Sequence, residues 1–183
     1  GRPGSYLAFF SRFDYLQQVA TLLAGRHPHI TLWQQSRGMV EGARQAFLDQ
    51  FTADSQGVGF AVLGGAFGEG IDLPGARLIG AFIATLGLAQ LNPVNEQLKR
   101  RMAAIFGAGY DYTYLYPGVQ KVVQAAGRVI RTREDRGVVM LIDDRFAESR
   151  IQQLLPRWWA IKNEAPASQF AGLPHTSVHD NGW

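Results

Sequence analysis

Apolar residues recur along this chain in two alternating rhythms. Short continuous runs predict strands, and longer stretches with apolar positions three and four apart predict helices. Tyr6 to Phe10 (YLAFF) is a strand, and after Ser11 the positions Tyr15, Leu16, Val19, Leu22 and Leu23 follow at helical spacing. His29 to Gln34 (HITLWQ) predicts a second strand, and Val40 to Phe51 a second helix with Val40, Ala43, Phe47, Leu48 and Phe51 on one face. Val58 to Leu63 and Leu78 to Ile83 are near-continuous apolar runs, as in parallel strands covered on both sides. Pro93 opens a helix through about Phe106, and Pro117 opens another. Val138 to Ile142 closes the sheet, and Phe146 to Leu155 forms a last helix stopped by Pro156. The alternation is that of a three-layer α/β domain, with a mainly parallel sheet flanked by helices. From about Ala165 the chain turns polar and loses its period. Residues 1–160 are therefore read as the domain and 161–183 as an extended or mobile tail.

With 183 residues, 46% apolar and 18% charged, the chain has room for one well-buried core. No apolar run is long enough for a helix to cross a bilayer, which argues against a membrane partner. The opening Gly1-Arg2-Pro3-Gly4, without initiator Met or leader, reads as a cut within a longer polypeptide. Cysteine is absent, which excludes disulfides, thiolate metal sites and cysteine nucleophiles; a reducing cytoplasm is the default location. The net charge is only +3, yet all but Lys99, Lys121 and Lys162 of the 18 basic residues are Arg. That bias suits bidentate oxyanion contacts, although a GC-rich genome gives the same skew.

Four stretches carry candidate chemistry. In Q-A-A-G-R-V-I-R, Gln124, Arg128 and Arg131 space one amide and two guanidinium groups along an amphipathic turn. Such forks can hold a terminal phosphate from outside, but the octet alone equally fits a solvated helix face. The segment from Gly64 to Gly75 follows a buried strand and sets Glu69 and Asp72 among glycines that let backbone approach a ligand. It is no dinucleotide fingerprint, because Phe67 replaces the required second glycine, and no G-x-x-x-x-G-K-[ST] phosphate loop occurs anywhere. Asp143-Asp144-Arg145-Phe146 ends the last strand, where an ion pair with Arg145 or a helix cap is a better reading than a metal site. The four histidines form no metal set. Tyr110, Tyr112, Tyr114 and Tyr116 alternate near Lys99-Arg100-Arg101, which fits either helix packing or stacking on a single strand.

The order of Y-L-A-F-F-S (Tyr6 to Ser11), G-A-F-G-E-G-I-D-L-P-G (Gly65 to Gly75), Q-A-A-G-R-V-I-R and D-R-G-V-V-M-L-I-D-D-R-F (Asp135 to Phe146) resembles the second motor domain of the XPD/DinG family of superfamily 2 DNA helicases. The resemblance spans about residues 5–155 and implies a RecA-like domain. In that family ATP and Mg²⁺ lie between two such domains, held mainly by the N-terminal one. That partner domain supplies the phosphate loop and, in many members, an iron–sulfur cluster on four cysteines.

By this resemblance Arg131 and Arg128 act as arginine fingers and Gln124 senses the phosphate. Gly70 and Asp72, with Glu69 in the same block, link nucleotide to DNA. Phe10, Ser11 and Arg12, and similarly Ser36 and Arg37, end strands where the family's fourth motif touches single-stranded DNA. The implied activity is ATP-driven 5′ to 3′ unwinding, with the isolated chain inactive. Leu86 to Leu91 departs from the proline-rich stretch common in the family and leaves that segment's DNA role open. The alternative is a non-catalytic nucleic-acid or protein-docking module on a RecA-like fold.

Overall fold

In the computed structural model, which describes residues 3–65, 67, 73, 75–129 and 137–162, five strands form one parallel sheet. They are β1 (Ser5–Phe10), β2 (Leu32–Gln34), β3 (Gly57–Val62), β4 (Gly80–Ala84) and β5 (Val138–Leu141), in the order β2-β3-β1-β4-β5. The helices are α1 (Phe13–Arg26), α2 (Glu41–Leu48), α3 (Pro93–Phe106), α4 (Tyr116–Ala126) and the short α5 (Ser149–Gln152).

Strand alternation sorts the core into two. Leu7, Phe9, Ala61, Ala81 and Ile83 point to a large core shared with Phe47 of α2, Val119 and Val122 of α4, and Ile151 of α5. Ala8, Phe10 and Phe60 point the other way and meet Leu16 and Ala20 of α1. Three layers result, with α1 on one face and α2, α4 and α5 on the other.

Several boundaries differ from expectation for identifiable reasons. The second strand starts only at Leu32, because the Ile30 amide donates to the His27 carbonyl in a turn around Pro28. The second helix runs only from Glu41 to Leu48; Val40 before it is exposed, while Phe51 is buried beyond its end. Pro117 stands in the first turn of α4 as expected, but the chain is already helical before it, because a π-helical turn over Asp111–Leu115 runs directly into α4. A proline lacks its amide and crowds the carbonyl four residues back, and the wider π turn accommodates both. The expected last helix divides into a 3-10 turn (Asp144–Ala147) and α5, separated by the extended Glu148. The tail from residue 163 lies outside the described residues.

Candidate functional site

The connections leaving β1 and β4 diverge to opposite sides of the sheet, and such a switch point opens a crevice at the carboxyl ends of the strands. A cavity of about 630 Å³ lies there, between Ser11 and Tyr15 after β1, Thr85 after β4, and Asp143 to Arg145 after β5. Thr85 is buried, and its hydroxyl accepts the Gly87 amide at 3.1 Å. Asp143 fills both roles expected of it: it accepts the Arg145 amide at 3.1 Å as a cap, and Arg145 Nε and a terminal nitrogen at 2.8 and 2.7 Å. Burial alone would raise the Asp143 carboxyl, but the Arg145 hydrogen bonds outweigh it and hold the carboxyl below the usual carboxylate range. The same pairing pushes the Arg145 guanidinium up.

Ser11, Arg12, Ser36 and Arg37 are all exposed along this strand-end edge. Arg37 is engaged locally, paired with Asp14 at 2.6 Å and lying over the Phe13 ring at 5.0 Å. The Phe10 side chain belongs to the core, its ring 4.7 Å from Phe60 and 5.4 Å from Tyr15, so only its backbone reaches the edge. Leu86 is buried and the following Gly87 has φ +74°; a Cβ there would fall 2.7 Å from the Gly118 carbonyl oxygen. Gly118 itself leaves no room for a Cβ, which would stand 2.8 Å from the Leu86 oxygen. This backbone contact seats the first turn of α4 on the β4 exit, and gives the Leu86 to Leu91 stretch a structural role.

Along α4, Gln124 is exposed and the helix ends at Ala126. Arg128 therefore does not continue the helix. It is half-buried in a tightened turn, in which its amide donates to the Ala125 carbonyl and the Val129 amide to Ala126. Over residues 124–129, the part of the octet that is described, the single helical row expected is thus a helix end followed by a turn. Arg131, Glu69, Gly70 and Asp72 lie outside the described residues. What is described of the glycine segment is anchored at Phe67, fully buried against Phe47 at 4.7 Å, with the Arg44 guanidinium over its ring at 5.7 Å.

Arg44, Lys121 and Gln35 were not singled out from the sequence. Gln35 is nearly buried, and its side-chain oxygen accepts the Val62 amide at 2.8 Å, pinning β3 where the glycine segment departs. Lys121 lies one helical turn before Gln124, a spacing that could have flagged it. Nothing local in the sequence marks Arg44 or Gln35.

The alternating tyrosines fall on a helix rather than a strand, so they pair four apart. Tyr114 is buried and donates to Glu96 at 2.8 Å, while Tyr110, Tyr112 and Tyr116 are exposed. Burial, then the Glu96 hydrogen bond, pushes the Tyr114 hydroxyl up to about 12. Glu96 is held low by Lys99 and by Tyr114. Phe106 stacks on Tyr112 at 4.7 Å, extending an exposed aromatic patch beside α3. Among the described residues no group of His, Cys, Asp or Glu is arranged to hold a metal ion.

Residues 1–162 match the model of the helicase C-terminal domain family. The chain is 28% identical over 145 residues to the ATP-dependent DNA helicase chl-1 of Caenorhabditis elegans, covering 78% of this chain and 16% of that protein. It is 27% identical over 128 residues to the ATP-dependent helicase DinG of Mycobacterium tuberculosis, covering 67% and 19%. A solved apo structure of XPD superposes with a TM-score of 0.67 at 17% identity, over 82% of this chain and 30% of that one, which shows a common fold. The chain thus spans about a fifth of the length of such curated relatives. The parallel sheet, the order of its motifs and these matches place the chain in the helicase C-terminal domain family, as the C-terminal RecA-like domain of an XPD/DinG-type superfamily 2 helicase.

Proposed function

We propose that this domain is the second motor half of an ATP-dependent DNA helicase that moves 5′ to 3′ on single-stranded DNA. The observation that carries the reading is the position of Gln124 and Arg128 at the end of α4, a helix fixed to the sheet by buried apolar residues. Arg128 and Arg131 act as arginine fingers toward a γ-phosphate held by the N-terminal RecA-like domain, and Gln124 senses the same phosphate. ATP, with its Mg²⁺, bridges the two domains and draws them together; hydrolysis releases them. Ser11, Arg12, Ser36 and Arg37 grip the strand at the carboxyl edge of the sheet, with Gly70, Asp72 and Glu69 coupling the two sites. Any iron–sulfur cluster belongs to the other domain.

The test is ATP turnover by the full-length protein with and without single-stranded DNA, beside strand displacement on duplexes with a 5′ or a 3′ tail. The motor reading expects DNA-stimulated turnover, displacement from the 5′ tail alone, and little turnover by this chain in isolation. A full-length protein that binds DNA but turns over no ATP would instead be a docking module.

A further inference from the structure

Lys121 occupies an unusual place for a lysine. Its stem lies on Gly64, the residue at which the chain leaves β3 for the glycine segment; a Cβ on Gly64 would stand 3.1 Å from Lys121 Cδ, 3.2 Å from Cε and 3.4 Å from Nζ. Gly64 has φ +77°, so the position favours glycine on conformational grounds as well. Five other cations of the fold are paired: Lys99 with Glu96, Arg37 with Asp14, Arg44 with Glu41, Arg145 with Asp143 and Arg150 with Asp111. Lys121 makes no hydrogen bond or ion pair among the described residues. A solubilising lysine extends its ammonium into water over whatever apolar surface lies beneath. Here the end of the stem, and with it the ammonium, runs beside the Gly64 backbone at the end of β3. Gln124 lies one turn further along the same helix.

We propose that Lys121 is a phosphate contact of the closed motor, its ammonium meeting a phosphate oxygen that lies against Gly64. The missing side chain of Gly64 lets the lysine stem lie on the backbone, which holds the ammonium at the strand end, where it supplies the charge. On the motor reading two phosphates are candidates: one in the DNA backbone along the carboxyl edge of the sheet, and the terminal phosphate of the nucleotide that Gln124 senses. The inference rests on the motor reading and adds a residue to it.

The experiment compares full-length wild type with Lys121→Met, which keeps the stem and removes the charge, Lys121→Arg, and Arg131→Ala. Oligo(dT) affinity is measured from low to moderate salt, and ATP turnover at saturating oligo(dT). A DNA-backbone contact weakens oligo(dT) binding by Lys121→Met and lowers the slope of log affinity against log salt by about 0.7, the share of one phosphate on a single strand. A nucleotide contact raises the KM for ATP about tenfold with the DNA slope unchanged. In either case Lys121→Arg recovers most of the loss. Wild-type behaviour of Lys121→Met in both arms, alongside collapsed turnover in Arg131→Ala, overturns the Lys121 contact and leaves the motor reading standing. Full turnover in Arg131→Ala overturns the finger assignment itself, and the DNA arm still decides Lys121.

Discussion

Helices α3 and α4 both carry a proline in their first turn, yet they are held in opposite ways. α4 buries Gly118, Val119, Val122, Ala125 and Ala126, whereas α3 buries no residue at all. α3 is sustained by local polar devices: Asn92 accepts the Asn95 amide at 2.9 Å, Glu96 accepts from Lys99 and Tyr114, and Gly107 ends the helix at φ +71°. Its outward face leaves Val94, Leu98 and Ile105 in water. Groups that must meet a phosphate at a fixed distance belong on the element that packing immobilises. The residues proposed for that task, Lys121, Gln124 and Arg128, lie on or just beyond α4.

The same substitution on each helix tests this contrast. Val122→Asp places a carboxylate in the core and costs at least about 3 kcal/mol, enough to lower the urea midpoint sharply or prevent folding. A tolerated Val122→Asp would mean that α4 is not the immobilised element. A second, smaller effect concerns the β5 exit. Asp143→Ala removes the cap and the bidentate partner of Arg145, at about 1 kcal/mol once solvent screening of the half-exposed arginine is allowed for. Because the folded carboxyl sits below its ordinary range, its stabilising contribution is present above that range and is lost as pH falls through the lowered value. Acid unfolding followed by circular dichroism should therefore lose this component in Asp143→Asn.

On the α3 side, Tyr114→Phe should lower stability at neutral pH by less than Val122→Asp does. Its hydroxyl is raised from 10.0 to about 12, so the neutral phenol stabilises the fold fully below pH 10 and progressively less as pH rises through about 12. Alkaline denaturation should lack that limb in the variant; an identical limb would assign it to other groups. The smallest effect is expected for Leu98→Asp, within about 0.5 kcal/mol of wild type by urea unfolding. A larger loss would show that the outward face of α3 is covered.

The two helices also differ in how far they can be read from sequence. The bounds of α3 were legible as Pro93 and a helical run to about Phe106, and the structure reproduces them, with the Asn92 cap and Gly107 closing its two ends. α4 could not be bounded this way. The π turn before it answers Pro117, and its seating depends on Gly87 and Gly118, which are distant in sequence and touch only in the fold. The apolar runs gave all five strands but overextended the second, where a turn around Pro28 competes. Around the candidate site, the strand-end residues and Gln124 could be named from motif order. Lys121, Arg44 and Gln35 matter through what they touch across the fold. Phe10 was placed at the correct strand end, but which way its ring points is set by the pairing of β1 between β3 and β4.

The most direct test of the account is single-stranded-DNA-stimulated ATP turnover by the full-length protein and its Arg131→Ala variant at saturating ATP, with nucleotide and DNA binding measured separately. The account predicts that turnover falls on the order of 10³-fold with both bindings retained, as expected for loss of a finger that stabilises transition-state charge across a cleft. Turnover equal to wild type would contradict it, and would leave Gln124, Arg128 and Arg131 as surface residues of a RecA-like domain.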